Sequence, residues 1–392
     1  MSYVETRIRD ADAGLRVYVR PIGFVPARTA GVGAAPRAAL RRAPVAGFRC
    51  LAGGWLAFGV VEIIWRAGRG AGAADRVGRA VMPIEDALRL ADRLTALPAG
   101  RRLARRLRAL EVPRQRFAGL DMRGRPQVMA IVNVTPDSFS DGGDAFAPVD
   151  AAAAVRRALE DGADLVDLGA ETTRPGAAAV DPAEEIHRLE PALTAAAELG
   201  AVVSVDTRKA VVMRHAARRG AAIVNDVSGF TYDPGAADAV AAAGLAAVVM
   251  HMRGTPADMQ SLAVYDDVVL DVFDELEDRL ALMDEAGVPQ GDVAIDPGIG
   301  FAKTVDQNLA LLHNLSIFHG LGRPLLIGVS RKSFIGRVAG IDQPKARVPG
   351  SLAAALAAVA QGAQIVRVHD VAETAQALVV DAAIARGRAP AG

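Results

Sequence analysis

From residue 128 onward the chain alternates short, apolar, β-branched runs with longer helical stretches, and it does so eight times. The runs cover 128–134, 165–169, 201–205, 223–227, 246–251, 293–295, 325–329 and 365–368; the stretches cover 151–160, 183–199, 210–219, 236–243, 268–286, 305–319, 352–361 and 373–386. Continuous apolar runs suit strands covered on both faces, as a parallel sheet flanked by helices requires. Eight such units in about 260 residues predict an α/β fold, specifically a (β/α)8 TIM barrel. An open doubly wound sheet is the competitor, but no GxGxxG follows the first run.

A barrel of this kind works at the carboxyl ends of its strands. Those ends carry Asn133, Glu171 with Thr172, Thr173 and Arg174, Asp206, Asn225 with Asp226, His251, Asp296, the Ser330 to Ser333 run, and Arg367 with His369. The first run leads into TPDSFSDGG, which reads as a long loop whose Gly142-Gly143 pair can act as a hinge.

Two chemical kinds emerge. Asp206, Asn225 and Asp296, expected on three neighbouring strands, can accept and donate along the edge of a flat nitrogen heterocycle, and a 2-aminopyrimidinone ring such as a pterin suits a bidentate carboxylate. Arg367 and His369, two apart on one strand, can address one anion together, with Arg174, Thr173 and Asn133 nearby. Phosphate or diphosphate is the expected guest, and the Asn133 amide oxygen can hold a magnesium ion whose shell water and phosphate complete. Neither a GxSxG nor a Walker motif occurs. The set therefore reads as built to hold a ring and release an anion to an external nucleophile, without a covalent enzyme intermediate.

Charge divides the chain. Through Leu120 there are 22 Arg against 9 acidic residues, net +13, and the remainder carries net −13. Nucleic acid, an acidic membrane face and the acidic half of the chain itself are possible counterparts, and the dispersed Arg residues with few aromatics between them favour the last. Residues 1–120 read as an accessory segment or small α+β domain, with a strand over 16–24, irregular chain over 27–44, undecided buried structure over 51–65, and a helix over 84–110 broken near Pro98. In the Arg101 to Arg108 cluster, Leu103, Leu107 and Leu110 are expected inward and the arginines outward. One cysteine, Cys50, excludes a disulfide framework, and no signal peptide or membrane span is evident; a cytoplasmic protein without nucleic-acid or membrane partners is expected. The basic residues are 41 Arg and only 4 Lys, namely Lys209, Lys303, Lys332 and Lys345, so lysine marks places where a compact ammonium is needed.

The segments IVNVTPDSFSDGG, DLGAETTRPGA, SVDTRKA, IVNDVSG, VVMHMRGTP, AIDPGIGFAKT, GVSRKSFIG and IVRVHDVAET occur in this order and closely resemble the dihydropteroate synthase family over 127–385. The resemblance implies a transferase that condenses 6-hydroxymethyl-7,8-dihydropterin diphosphate with 4-aminobenzoate, and a sulfonamide target. It implies that Asp206, Asn225, Asp296 and Lys332 hold the pterin, that Asn133 binds Mg2+, and that Thr173, Arg174, Arg367 and His369 meet the diphosphate. Phe139, Pro175, Phe301, Lys332 and Ser333 would form the aminobenzoate pocket, and Asp141 would pair with Arg174 as loops close; Lys332, Arg174 and Asp141 are the expected catalytic set. A homodimer through late barrel helices is implied too. Residues 1–120 lie outside the family pattern, which makes 121–392 the expected catalytic domain. A pterin-binding paralogue without activity and a corrinoid-dependent methyltransferase are the alternatives; the latter has no use for the TRPG and SRKS segments or the Arg367 and His369 pair.

Overall fold

The computed structural model describes residues 3–9, 14–31, 46–68, 77–114, 116–134, 148–172 and 179–389. The amino-terminal part runs α1 (Tyr3–Arg9), β1 (Leu15–Ile22), β2 (Val25–Pro26), β3 (Arg49–Cys50), β4 (Leu56–Phe58), β5 (Val60–Ala67), β6 (Val77–Pro83), α2 (Ile84–Arg93), α3 (Pro98–Glu111), β7 (Arg116–Phe117) and β8 (Leu120–Asp121). Strand β5 lies between β1 and β6 in an antiparallel sheet. Period two sorts its residues. Leu15, Val17, Val19, Val61, Ile63 and Trp65 pack with Leu90, Leu103 and Leu107 of α2 and α3, whereas Tyr18 and Ile64 join the core of the downstream domain. Strand β5 is thus buried on both faces, which is why no periodicity could be read over 51–65.

The second part is the barrel. Its parallel strands are β9 (Gln127–Asn133), β10 (Leu165–Gly169), β11 (Val203–Asp206), β12 (Ile223–Asp226), β13 (Ala246–Met250), β14 (Val293–Asp296), β15 (Leu326–Gly328) and β16 (Ile365–Val368). They hydrogen-bond in the order β14, β13, β12, β11, β10, β9, β16, β15. A parallel bridge between Ile295 and Leu325 closes the ring, with Ile295 N–H donating to the Pro324 carbonyl at 2.9 Å. Around it lie α4 (Pro148–Glu160), α5 (Pro182–Glu198), α6 (Ala210–Arg218), α7 (Ala236–Ala243), α8 (Val268–Glu285), α9 (Val305–His313), α10 (Ser333–Ala339), α11 (Val348–Val359) and α12 (Val371–Arg386). The TIM barrel expected from the eightfold pattern is the observed fold. Met129, Leu165, Ile223, Val248, Ala294, Leu326 and Ile365 fill its lower layer, and Phe117 and Met122, from and beside the β7–β8 hairpin, pack beneath them.

One local reading changes, and two elements had not been read. The helix expected over 305–319 stops at Asn314 and continues as a 3-10 helix, Leu315–Leu321. Helix α10 and strand β6 had no apolar signal strong enough to read; β6 is VGRAVMP, with no fully buried residue. The 27–44 reading falls largely on residues outside the described ones.

The charge asymmetry resolves within the chain. Helix α8 presents acids to the amino-terminal sheet: Arg66 meets Asp271 and Asp274 at 2.5 and 2.6 Å, Arg16 meets Asp274 at 2.6 Å, and Tyr18 donates to Asp274 Oδ2 at 2.9 Å. From α3, Arg105 and Arg106 reach Glu277 at 2.9 and 2.7 Å. Leu103, Leu107 and Leu110 are indeed buried, but so is Arg106, whose guanidinium lies 4.6 Å over the Phe273 ring. These charges are paired because a lone one buried there would cost several kcal/mol.

Candidate active site

Period two explains how polar residues reach the barrel mouth. Because Met129, Leu165, Ile223, Ala294 and Ile365 point to the axis, so do Asn133, Asp167, Asn225, Asp296 and Arg367 further along the same strands, and the strand register sets Asp206 beside Asn225.

Asp167 is fully buried in the middle of LVDLG. It accepts from Arg367 Nε at 2.5 Å and from Asn225 Nδ2 at 3.0 Å, while Arg367 Nη2 donates to Asp206 Oδ2 at 2.9 Å. Two carboxylates thus share one guanidinium. Burial pushes the Asp206 carboxyl well up from its ordinary value; Arg367 opposes this and Asp167 adds to it. Burial works against the charge on Arg367 too, but Asp167 and Asp206 outweigh it and raise its pKa.

Across the mouth, Asp296 Oδ1 accepts the Gly298 N–H at 2.7 Å. Its pKa is raised by burial against the pull of Lys332. Lys332 donates to the Ile299 carbonyl and stands 4.6 Å over the Phe301 ring. Burial lowers its pKa to about 8, with Asp296 opposing. Arg331, just before it, takes a left-handed φ of 58° and is held by Asp370 at 3.0 Å; this turn directs Lys332 inward. A Cβ on Gly328 would stand 3.9 Å from Asp296 Oδ2 and 4.0 Å from Lys332 Nζ, so the missing side chain keeps the space between them open.

The remaining expected residues divide. His369 is exposed at the rim with Nδ1 3.0 Å from Ser330 Oγ; desolvation by the surrounding wall, then Arg331 and Arg367, lower its pKa to about 4. Asn133 is exposed at the end of β9, its Oδ1 3.5 Å from where a Gly169 Cβ would be. Phe301 is half-buried, and Ser333 is the exposed first residue of α10. Phe139, Asp141, Thr173, Arg174 and Pro175, like the Gly142-Gly143 hinge, lie outside the described residues. One spatial reading is corrected: Asp206 and Asn225 are on adjacent strands, but β13 separates β12 from β14, so Asp296 is two strands from Asn225 and three from Asp206. The described pocket is therefore a polar cradle with carboxylates on two sides, a lysine, and an arginine between them.

A family model for the pterin binding enzyme matches residues 129–369. The chain belongs to the pterin binding enzyme family. Among relatives of this pterin binding enzyme, the dihydropteroate synthase of Escherichia coli is 44% identical over 261 residues, 66% of this chain and 92% of the relative. A structure of Xanthomonas albilineans dihydropteroate synthase with 4-aminobenzoic acid superposes with a TM-score of 0.64 at 46% identity, covering 68% of this chain and 94% of that one. Another, in complex with 7,8-dihydropteroate, gives 0.61 at 43%, covering 68% and 95%.

One residue of this pterin binding enzyme escaped the strand-end reading, and two were placed wrongly by it. Asp167 lies one turn of the pleat below the end of β10, and its signal was a lone carboxylate inside an apolar run, which is costly unless paired. His251 was read at the mouth, yet it is fully buried, with Nε2 2.9 Å from Glu275 and Nδ1 3.0 Å from Lys303. Glu171 also turns from the mouth, paired with Arg208 and Lys209 at 3.0 Å each.

Proposed function

We infer that this chain is a dihydropteroate synthase, joining 6-hydroxymethyl-7,8-dihydropterin diphosphate to 4-aminobenzoate. The observation that carries the reading is the convergence of Asp206, Asn225, Asp296 and Lys332 at one barrel mouth, in a chain 44% identical to a synthase along 92% of that relative. Asp296 offers its second carboxylate oxygen to the amino-pyrimidinone edge, Asn225 is oriented by Asp167 to hydrogen-bond the ring, and Lys332 supplies a donor on the same side. The methylene carbon–oxygen bond breaks and the diphosphate leaves with the electron pair. The arylamine nitrogen bonds to the methylene and gives up a proton. In this reading Thr173, Arg174, Arg367 and His369 serve the leaving diphosphate, and Phe139, Pro175, Phe301 and Ser333 serve the aminobenzoate. Lys332, Arg174 and Asp141 are its catalytic set.

Among the described residues no three His, Cys, Asp or Glu side chains converge as a metal cage. The neutral, exposed Asn133 amide fits Mg2+, which keeps its waters and takes phosphate oxygens, and the ion when bound offsets charge on the diphosphate. Residues 1–120 serve as an accessory module docked on the catalytic barrel of 121–392. A homodimer through α11 and α12 accounts for exposed Val379, Val380 and Ile384, and a cytoplasmic location suits a chain with one cysteine. Among the described residues no helix is long and apolar enough to cross a membrane. The test is diphosphate release from the dihydropterin diphosphate in the presence of Mg2+: it should require 4-aminobenzoate, and release indifferent to the amine would reject the reading.

A further inference from the structure

Lys303 is 4% exposed in a chain whose basic residues are 41 Arg and 4 Lys. Its Nζ lies 3.0 Å from His251 Nδ1, 2.9 Å from the Gly298 carbonyl and 2.9 Å from the Phe301 carbonyl. These three acceptors, with the His251 carbonyl at 3.5 Å, match the three donors of an ammonium, the form that burial disfavours by lowering the Lys303 pKa and that Asp296 supports; a planar guanidinium could not satisfy them in this geometry. For Nδ1 of His251 to accept, the ring proton must sit on Nε2, and Nε2 faces Glu275 Oε2 at 2.9 Å. Burial, then Lys303, drops the His251 pKa to about 3, so the ring is neutral. Burial opposes the Glu275 charge, but His251 and Arg253 hold its pKa at about 2.

The segment that Lys303 grips has little regular structure of its own. Gly298, Gly300 and Ala302 all take left-handed φ angles, at 69°, 85° and 51°. It also carries three groups of the pocket: the Gly298 N–H that fixes Asp296, the Ile299 carbonyl that receives Lys332, and the Phe301 ring beneath the Lys332 ammonium.

We propose that Lys303, oriented by the Glu275 and His251 pair, is a positioning residue that holds the 298–301 segment and through it sets Lys332 and the Phe301 wall of the arylamine subsite. This rests on the synthase reading for the identity of the subsite, but the hydrogen-bond relay itself does not.

Steady-state constants for both substrates, measured on the wild-type chain and on Lys303→Met, His251→Leu and His251→Gln, test it. Gln presents an acceptor to Lys303 and a donor to Glu275, as the neutral imidazole does; Leu presents neither. Lys303→Met and His251→Leu should raise the KM for 4-aminobenzoate about tenfold or more, with a smaller change for the dihydropterin diphosphate, while His251→Gln stays within about threefold of wild type. If Leu and Gln behave alike, the relay is not what positions the segment and the proposal falls. Should Lys303→Met fail to fold, the two His251 variants decide. Nitrogen NMR of the wild-type imidazole gives a readout independent of activity: a neutral ring protonated at Nε2 is expected, and one protonated at Nδ1 overturns the proposal. A wild-type chain without turnover but with the Nε2 tautomer would reject the synthase reading and leave the relay standing.

Discussion

Replacing Asp296 by Asn keeps the shape of the site and reverses one atom of its chemistry. Asp296 Oδ1 is committed to the Gly298 N–H at 2.7 Å, so the Asn carbonyl must take that place and its NH2 must occupy the position of Oδ2. There the variant loses a charge-assisted acceptor, about 1.5–3 kcal/mol, and gains a buried donor facing other donors, at least about 1 kcal/mol more. The sum, about 2.5–4 kcal/mol, corresponds to a loss of about 10²- to 10³-fold in kcat/KM for the dihydropterin diphosphate. Lys332 loses its nearest counter-charge as well, and burial already depresses its pKa to about 8. The assay is amine-dependent diphosphate release, with the unfolding midpoint recorded on the same preparation to separate a lost contact from a lost fold. A well-folded variant within about threefold of wild type would show that Asp296 does not bind the ring, and would remove the contact of its second carboxylate oxygen with the amino-pyrimidinone edge.

Arg66→Met should lower the denaturation free energy by about 1.5–3 kcal/mol, because it removes the charged partner shared by Asp271 and Asp274 at a nearly inaccessible contact (Arg66 1% and Asp274 2% exposed) and leaves Asp274 to Arg16 and Tyr18; an unchanged urea midpoint would contradict the docking described. Gly298→Ala should abolish activity and lower the melting temperature, since its Cβ would stand 1.9 Å from the His251 carbonyl at a φ of +69°; wild-type behaviour would refute the close approach. Stability should also fall with acid. Burial, followed by Lys303 for His251 and Arg114 for His319, lowers both folded pKa values to about 3. Between the unfolded value near 6.5 and pH 3 the unfolded chain therefore binds protons that the folded chain does not. At pH 5 each residue should cost about 2 kcal/mol relative to pH 7, and urea midpoints that do not move between those pH values would show that the rings are not held neutral.

The eight barrel strands were legible because each is buried on both faces and so is written as an unbroken apolar run, and their ends were legible because polar residues follow those runs at once. The same rule hid Asp167, which lies inside its run, and misplaced His251, whose backbone ends a strand while its side chain turns under the 298–301 segment. The amino-terminal sheet was legible in part: β1 was expected from its alternation, but β5 is buried on both faces, and the face that meets the barrel carries Arg16 and Arg66, whose partners are the acids of α8. Tertiary pairing of this kind leaves no mark on local periodicity. Lysine scarcity was the better guide for three of the four, Lys345 being exposed. Lys209 is buried between Glu171 and Glu185, Lys303 is buried under the loop, and Lys332 stands in the pocket.

The central claim is that the barrel mouth holds a pterin while an external amine replaces its diphosphate. Quantifying dihydropteroate by mass spectrometry and diphosphate in the same reaction, with the purified full-length chain, the dihydropterin diphosphate, Mg2+ and isotopically labelled 4-aminobenzoate, tests it most directly. Labelled dihydropteroate should appear in amounts equal to the diphosphate released. Diphosphate without labelled product, or neither, would contradict it.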